Sequence, residues 1–175
     1  MTSDDLRSAI RSIPDFPKPG ILFRDISPIL ESAPHFHAAI DLLAAQCAGL
    51  EPVKVVGLDA RGFIFGAALA YRLGLGFVPV RKKGKLPFRT ISHAYELEYG
   101  SAEFEIHCDS ILPGEKVILV DDLLATGGTA GAAAHLLKQL GANVLRVLFV
   151  VELEGLGGRD QLAPLEVCSL VSFGA

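Results

Sequence analysis

The period of the apolar positions changes several times along the chain, and these changes mark out its elements. Phe36, Ala39, Ile40, Leu43, Ala44 and Cys47 fall at i, i+3, i+4, i+7, i+8 and i+11, the spacing of one helical face. Ser32 is available as N-cap just before Pro34. Strands then alternate with helices. Val53–Leu58 reads as a short apolar strand, Gly62–Leu73 as a helix, and Phe77–Val80 as a strand that Pro79 weakens. Residues 83–94 are polar, rich in Gly, Pro and Lys, and aperiodic, whereas 94–107 alternate in part around Gly100, as a β-hairpin would. Val117–Val120 is an uninterrupted apolar strand. Thr129–Leu140 follows as a helix with Ala130, Ala133, Ala134 and Leu137 inward, and Val144–Val151 as a long strand. Apolar strands alternating with helices predict an α/β fold whose parallel sheet is covered on both faces. Residues 14–30 hold four prolines and little periodicity, which predicts an ordered but irregular cap.

Composition narrows the setting. A length of 175 residues without repeats, low-complexity segments or linkers suits one domain, 1–175, with a single sizeable core. No stretch approaches the ~20 apolar residues of a membrane span, and the start does not read as a secretory signal. A cytoplasmic protein is expected. The net charge of -4 argues against nucleic acid as the main partner, although a local basic patch for a small anion remains compatible. Cys47, Cys108 and Cys168 form no CxxC pair and read as buried reduced thiols. His35 and His37, two apart, point in different directions on a helix and make a poor zinc pair.

The most informative segment runs Val117-Ile118-Leu119-Val120-Asp121-Asp122-Leu123-Leu124-Ala125-Thr126-Gly127-Gly128-Thr129 and leads into a helix. In a parallel sheet, ligands collect at the carboxyl ends of strands, where this strand delivers two carboxylates. Two glycines then let backbone approach a ligand, and the opening helix turn offers N–H groups and a positive dipole end to a phosphate. Thr126 and Thr129 add hydroxyl donors. Without the Lys of GxxxxGK[ST], the loop does not fit a P-loop NTPase. Asp121 and Asp122 would repel an adjacent phosphate, so they call for a diol or a bound Mg²⁺ about one sugar away. A phosphate at one end and a diol at the other describe ribose 5-phosphate. The plainer alternative is a solvated acidic pair beside an empty turn.

This segment resembles the signature of the type I phosphoribosyltransferases, and its fuller form, Asp121–Thr129, is similar to the adenine phosphoribosyltransferases in particular. Asp15–Ile26, Ala60–Gly66, Val80–Pro87 and Leu97–Gly100 agree, in the family's order, so the resemblance runs from about Phe16 to Pro164. Asp59 departs from the Glu of many bacterial relatives, and Phe88–Ala94 matches no fixed family pattern. The resemblance implies the type I fold with an irregular N-terminal hood, about 14–30, and a flexible lid hairpin, about 83–100. It implies transfer of phosphoribosyl from phosphoribosyl pyrophosphate to adenine, with Mg²⁺ carried by the substrate and no direct protein metal site.

Arg61 follows one predicted strand, and Arg81, Lys82, Lys83 and Lys85 follow the next. Taken alone these cations are an anion site or an ordinary surface run. The resemblance implies that Arg61, Arg81, Lys82 and Lys85 bind pyrophosphate, some of them in a neighbouring subunit, and a homodimer is expected on that basis. Glu98 and Tyr99 match the family's Glu-Tyr-Gly, in which the Glu is proposed to handle the proton on the base. Asp121 and Asp122 would hold the ribose, and Ala125, Thr126, Gly127, Gly128 and Thr129 the 5-phosphate. Phe23 would lie over the purine, the Leu22 backbone would read its edge, Arg24 would reach a ring nitrogen, and Leu156 would close the other side. Two rivals stay open: an enzyme for hypoxanthine, guanine or xanthine, and a non-catalytic regulator that senses phosphoribosyl pyrophosphate. A DNA-binding regulator would need a basic helix-turn-helix, and the residues before the first predicted helix are not basic.

Overall fold

The computed structural model describes residues 1–96 and 101–174. Its centre is a seven-stranded sheet in the order β5-β6-β4-β3-β7-β8-β9. The strands β3 (Lys54–Leu58), β4 (Gly76–Lys82), β7 (Lys116–Leu124), β8 (Asn143–Glu154) and β9 (Val167–Gly174) run parallel. β5 (Thr90–Glu96) and β6 (Ser101–His107) form an antiparallel hairpin joined to β4 through Arg81 and Lys82. Val117, Ile118, Leu119 and Val120 of β7 are all fully buried, because helices cover both faces. Ile118 and Val120 face a core with α3 (Ala33–Ala45) and α4 (Arg61–Leu73). Val117 and Leu119 face a second core with α5 (Gly128–Gln139) and α6 (Gly158–Leu162). Each such side chain contributes about 1.5–3 kcal/mol by burial.

The expected α/β class and mostly parallel sheet are therefore present, with extensions. The strand predicted at Val117–Val120 continues through both acids to Leu124, since Asp121 stays in register with Phe149 and Leu124 with Glu152. Pro79 is tolerated because β4 meets β6 only from Arg81 onward, so it sits at a local edge. β5 begins at Thr90, inside the segment read as aperiodic. β9, absent from the sequence reading, closes the parallel side of the sheet.

At the front, α1 (Ser3–Ala9) precedes the helix expected first. Its capping box links the Thr2 hydroxyl and the Asp5 carboxylate. The irregular cap contains a small antiparallel pair, β1 (Arg11–Pro14) and β2 (Leu22–Asp25), ahead of α2 (Ser27–Glu31). Leu6, Ile26 and Ile29 root this front end in the core shared with Leu170 and Val171 of β9. Ser32 takes the N-cap position of α3 without a side-chain cap bond. Its hydroxyl pairs with His35 Nδ1 at 2.7 Å instead. The three cysteines are free, as expected, but only Cys47 is buried; Cys108 is exposed, and Cys168 is half-buried at the edge of the core shared with α3 and α4.

Candidate active site

A cleft of about 400 Å³ opens at the carboxyl ends of β3 and β7. Asp59, Ala60 and Arg61 line it from the end of β3, and residues 121–130 line it from β7 and the start of α5. α5 begins after Gly127, whose φ of 84° is left-handed, and no side chain caps it. The first-turn N–H groups thus stay available to an anion, on the positive end of the helix dipole.

The loop is held tightly from behind. A Cβ on Gly127 would lie 2.7 Å from the Gly158 carbonyl, and one on Gly158 only 2.4 Å from the Ala125 carbonyl. Two stretches of backbone are in contact there and leave no room for a side chain. Gly62 does the same for the acids, since its Cβ would come within 2.8 Å of Asp121 Oδ1. Neither Gly62 nor Gly158 figured among the predicted site residues. Their signal lay in the glycines that follow Arg61 and precede Arg159.

Both acids are buried, Asp121 with 9% and Asp122 with 6% of its surface exposed. Asp122 Oδ2 is ion-paired with Arg61 Nε. Asp121 Oδ1 accepts the Asp122 backbone N–H at 2.9 Å. Burial, and secondly the neighbouring Asp122 carboxylate, push the Asp121 carboxyl well above the usual range. The cleft therefore sets a carboxylate ion-paired with Arg61 beside a carboxyl whose pKa is raised.

Among the predicted pyrophosphate residues, Arg61 and Lys82 line the cleft. Arg81 stands one residue behind it. Its buried Nε has no hydrogen-bond partner among the described residues and lies 3.6 Å from Asp59 Oδ2, while Nη1 donates to the Lys85 carbonyl at 3.2 Å. Lys85 is exposed and outside the cleft lining, and its backbone N–H donates to Glu105 at 2.8 Å. Lys83 pairs with Glu103 at 2.8 Å and Ser92 at 2.7 Å, on the hairpin. Glu105, 2% exposed, also accepts from Leu86 N–H at 2.8 Å and so fixes the turn that carries these cations. Burial pushes its carboxyl up, but the Leu86, Gly84 and Lys85 N–H groups outweigh that and hold it below the usual range.

The hairpin meets the cleft through a residue the sequence reading passed over. Tyr95 stacks on Phe104, and its phenol shares a hydrogen bond with the Thr129 side chain; burial nevertheless raises its pKa. Glu98 and Tyr99 lie outside the described residues.

The hood residues Leu22, Phe23 and Arg24, like Leu156, do not line this cleft. Leu22 and Leu156 are exposed apolar side chains, at 48% and 40%. Phe23 packs edge-on to Phe16 with centroids 5.1 Å apart. Arg24, expected to reach the base, lies over the Phe173 ring at 4.1 Å and bonds Ser12 Oγ, so in this structure it ties the hood to β9.

The phosphoribosyl transferase domain model matches residues 29–167. A protein of Neorhizobium galegae named adenine phosphoribosyltransferase is 57% identical over 174 residues, covering 98% of this chain and 96% of its own. The crystal structure of adenine phosphoribosyltransferase from Thermoanaerobacter pseudethanolicus superposes with a TM-score of 0.95 at 50% identity, over 98% of this chain and 100% of that one. The Saccharomyces cerevisiae enzyme, complexed with an imino-altritol bisphosphate and adenine, gives 0.91 at 45% identity, over 96% and 97%. With its two acids above a glycine loop at the end of a central parallel strand, the chain belongs to the adenine phosphoribosyltransferase family.

Proposed function

We infer that this chain transfers 5-phosphoribosyl from phosphoribosyl pyrophosphate to adenine, giving AMP and pyrophosphate in purine salvage. The observation that carries the reading is the cleft, where an uncapped helix N-terminus and two buried carboxylates share one wall. The relatives' names supply the base. In this reading Ala125, Thr126, Gly127, Gly128 and Thr129 hold the 5-phosphate, and Asp121 and Asp122 accept from the ribose hydroxyls. Arg61 and Lys82, with Arg81 and Lys85 beside them, meet the charge that develops on the leaving pyrophosphate. Water would capture the oxocarbenium-like sugar, so the hairpin over residues 83–100 acts as a lid, with Glu98 handling the base proton and Tyr99 beside it. Phe23 stacks on the adenine, Leu22 reads its edge through backbone groups, and Leu156 closes the far side. Arg24 turns to the base only by leaving Phe173.

Among the described residues no three His, Cys, Asp or Glu side chains group as a metal cage. We place Mg²⁺ on substrate phosphates and water. Carried in on the phosphoribosyl pyrophosphate, with no direct protein ligand, the ion would neutralise pyrophosphate charge while Asp121 and Asp122 hold the ribose. No described helix is long and apolar enough to cross a membrane. We place the enzyme in the cytoplasm as a single-domain subunit of a homodimer, in which cations near Arg81–Lys85 complete a neighbouring site.

The test mixes the protein with Mg²⁺, phosphoribosyl pyrophosphate and each purine separately. A backbone carbonyl accepting from the 6-amino group, and an N–H donating to N1, would leave 6-oxo purines mismatched. Adenine should lead hypoxanthine by roughly 10⁴-fold in kcat/KM. Comparable values would transfer the assignment to a 6-oxo-purine enzyme, and no nucleotide from any base would leave the sensing regulator.

A further inference from the structure

We propose that the Glu152–Arg159 ion pair is a positioning device for the loop over residues 125–129, and that it sets affinity for the 5-phosphate end of the substrate. The inference rests on the phosphate reading of that loop. Glu152 is 6% exposed near the end of β8 and lies in register with Leu124, the residue from which the loop departs. Arg159 grips it with both arms of its guanidinium, Nε to Oε1 at 2.7 Å and Nη2 to Oε2 at 2.6 Å. The third nitrogen, Nη1, donates to the Val167 carbonyl at 2.9 Å, and Ser169 Oγ donates to Glu152 Oε2 at 2.7 Å. The pair thus joins β8, β9 and α6, and the Arg159 partnership holds the Glu152 carboxyl below its usual range.

What it holds in place is the wall behind the loop. Gly158, next to Arg159, presses on the Ala125 and Leu124 backbone and side chain, and its carbonyl sits over Gly127. The loop therefore has the cleft on one side and α6 on the other. Among the described residues, Arg159 is the side chain of α6, only five residues long, that ion-pairs with the sheet; without its grip the first turn loses that anchor and Leu162 in the second core is left to hold the helix. The loop N–H groups would then lose their fixed aim. A misplacement of about 1 Å at a positioned group costs on the order of 100-fold.

The experiment measures binding of ribose 5-phosphate and of pyrophosphate separately, by titration calorimetry on the full chain, for wild type, Arg159→Ala and Arg159→Lys. Ribose 5-phosphate engages the loop, whereas pyrophosphate engages the cations after β3 and β4. Arg159→Ala should weaken ribose 5-phosphate at least roughly tenfold and leave pyrophosphate unchanged. In assays KM for phosphoribosyl pyrophosphate should rise more than kcat falls. Arg159→Lys keeps the charge but not the two-armed grip and should fall between, which covers the case in which the Ala variant does not fold. Equal loss of both ligands, or loss of neither, would overturn the proposal. A wild type that binds neither would overturn the cleft's function itself, a result readily told apart.

Discussion

Replacing Asp121 with Asn should stabilise the empty protein at neutral and alkaline pH, and the gain should have a defined pH profile. Asp121 is buried beside Asp122, and the first of these facts more than the second holds its carboxyl well above the ordinary 3.8. In the unfolded chain the group ionises near that ordinary value. Between the two values the folded protein carries the extra proton, so the wild type loses stability as pH rises through the window. Below 3.8 both states are protonated and the full contribution is present. One proton gives a slope of at most ~1.4 kcal/mol per pH unit. The Asn amide cannot ionise and lacks that slope. For a chain of 175 residues, 1 kcal/mol moves Tm by about 2–4 °C. The Tm difference between variant and wild type should therefore widen by roughly 3–6 °C per pH unit inside the window and level off above it. Calorimetric melting from pH 4 to 9 without ligand reads this directly. A constant difference across that range would refute the reasoning, since Asp121 would then be ionised in the folded protein too. Asp122→Asn should weaken phosphoribosyl pyrophosphate binding, because the carboxylate ion-paired with Arg61, an acceptor-only group, becomes half donor.

Gly62→Ala should cost about 1–3 kcal/mol in urea unfolding and reduce activity, because its Cβ would lie 2.8 Å from Asp121 Oδ1 and 3.0 Å from the Val120 carbonyl. Unchanged stability would mean that α4 shifts freely, contrary to its packing on β7. Phe23→Ala should weaken adenine binding by roughly 1–3 kcal/mol through lost stacking, whereas Leu22→Val, which keeps the backbone groups, should retain adenine preference in competition assays. Glu98→Gln should lower kcat more than it raises KM, and steady-state kinetics with unchanged kcat would remove Glu98 from the proton step.

The sequence was most readable where one physical demand acted alone. The run from Val117 into Thr129 combines an apolar strand, paired acids and a glycine turn, and each feature survives in the fold. Its strand ended early in the sequence reading because buried acids were not expected in a sheet ladder. They are accommodated by the Arg61 ion pair at Asp122 and by the Asp122 backbone N–H donated to Asp121, neither of which leaves a periodic signal. β9 went unread because its side chains alternate only weakly and its position beside β8 is a long-range choice. β1 and β2 pair through residues that are exposed or half-buried, so no apolar pattern announces them. α1 did carry a local sign, the Thr2–Asp5 capping box, but it buries only Leu6. The motif around Arg24 gives it a place at the base, and the fold adds a partner no local pattern announces, the Phe173 ring. Lys83, in the same basic run but not among the expected pyrophosphate residues, pairs with Glu103.

These departures share a cause that bears on how the site operates. In the cleft two of the relevant cations already have acidic neighbours: Arg61 pairs with Asp122, and Arg81 lies close to Asp59. Unpaired buried charges would cost several kcal/mol each, so an empty site of this composition must satisfy itself. On the proposed roles, substrate binding is then an exchange. Ribose hydroxyls replace Arg61 at Asp122, and the pyrophosphate takes the released guanidinium. Each exchange returns one polar partner for another, so net affinity stays moderate while geometry is checked at every contact. A ligand with phosphate but no diol engages the loop alone and gains nothing at Asp121 and Asp122. Inorganic phosphate should thus be a poor competitor for a loop that holds ribose 5-phosphate well.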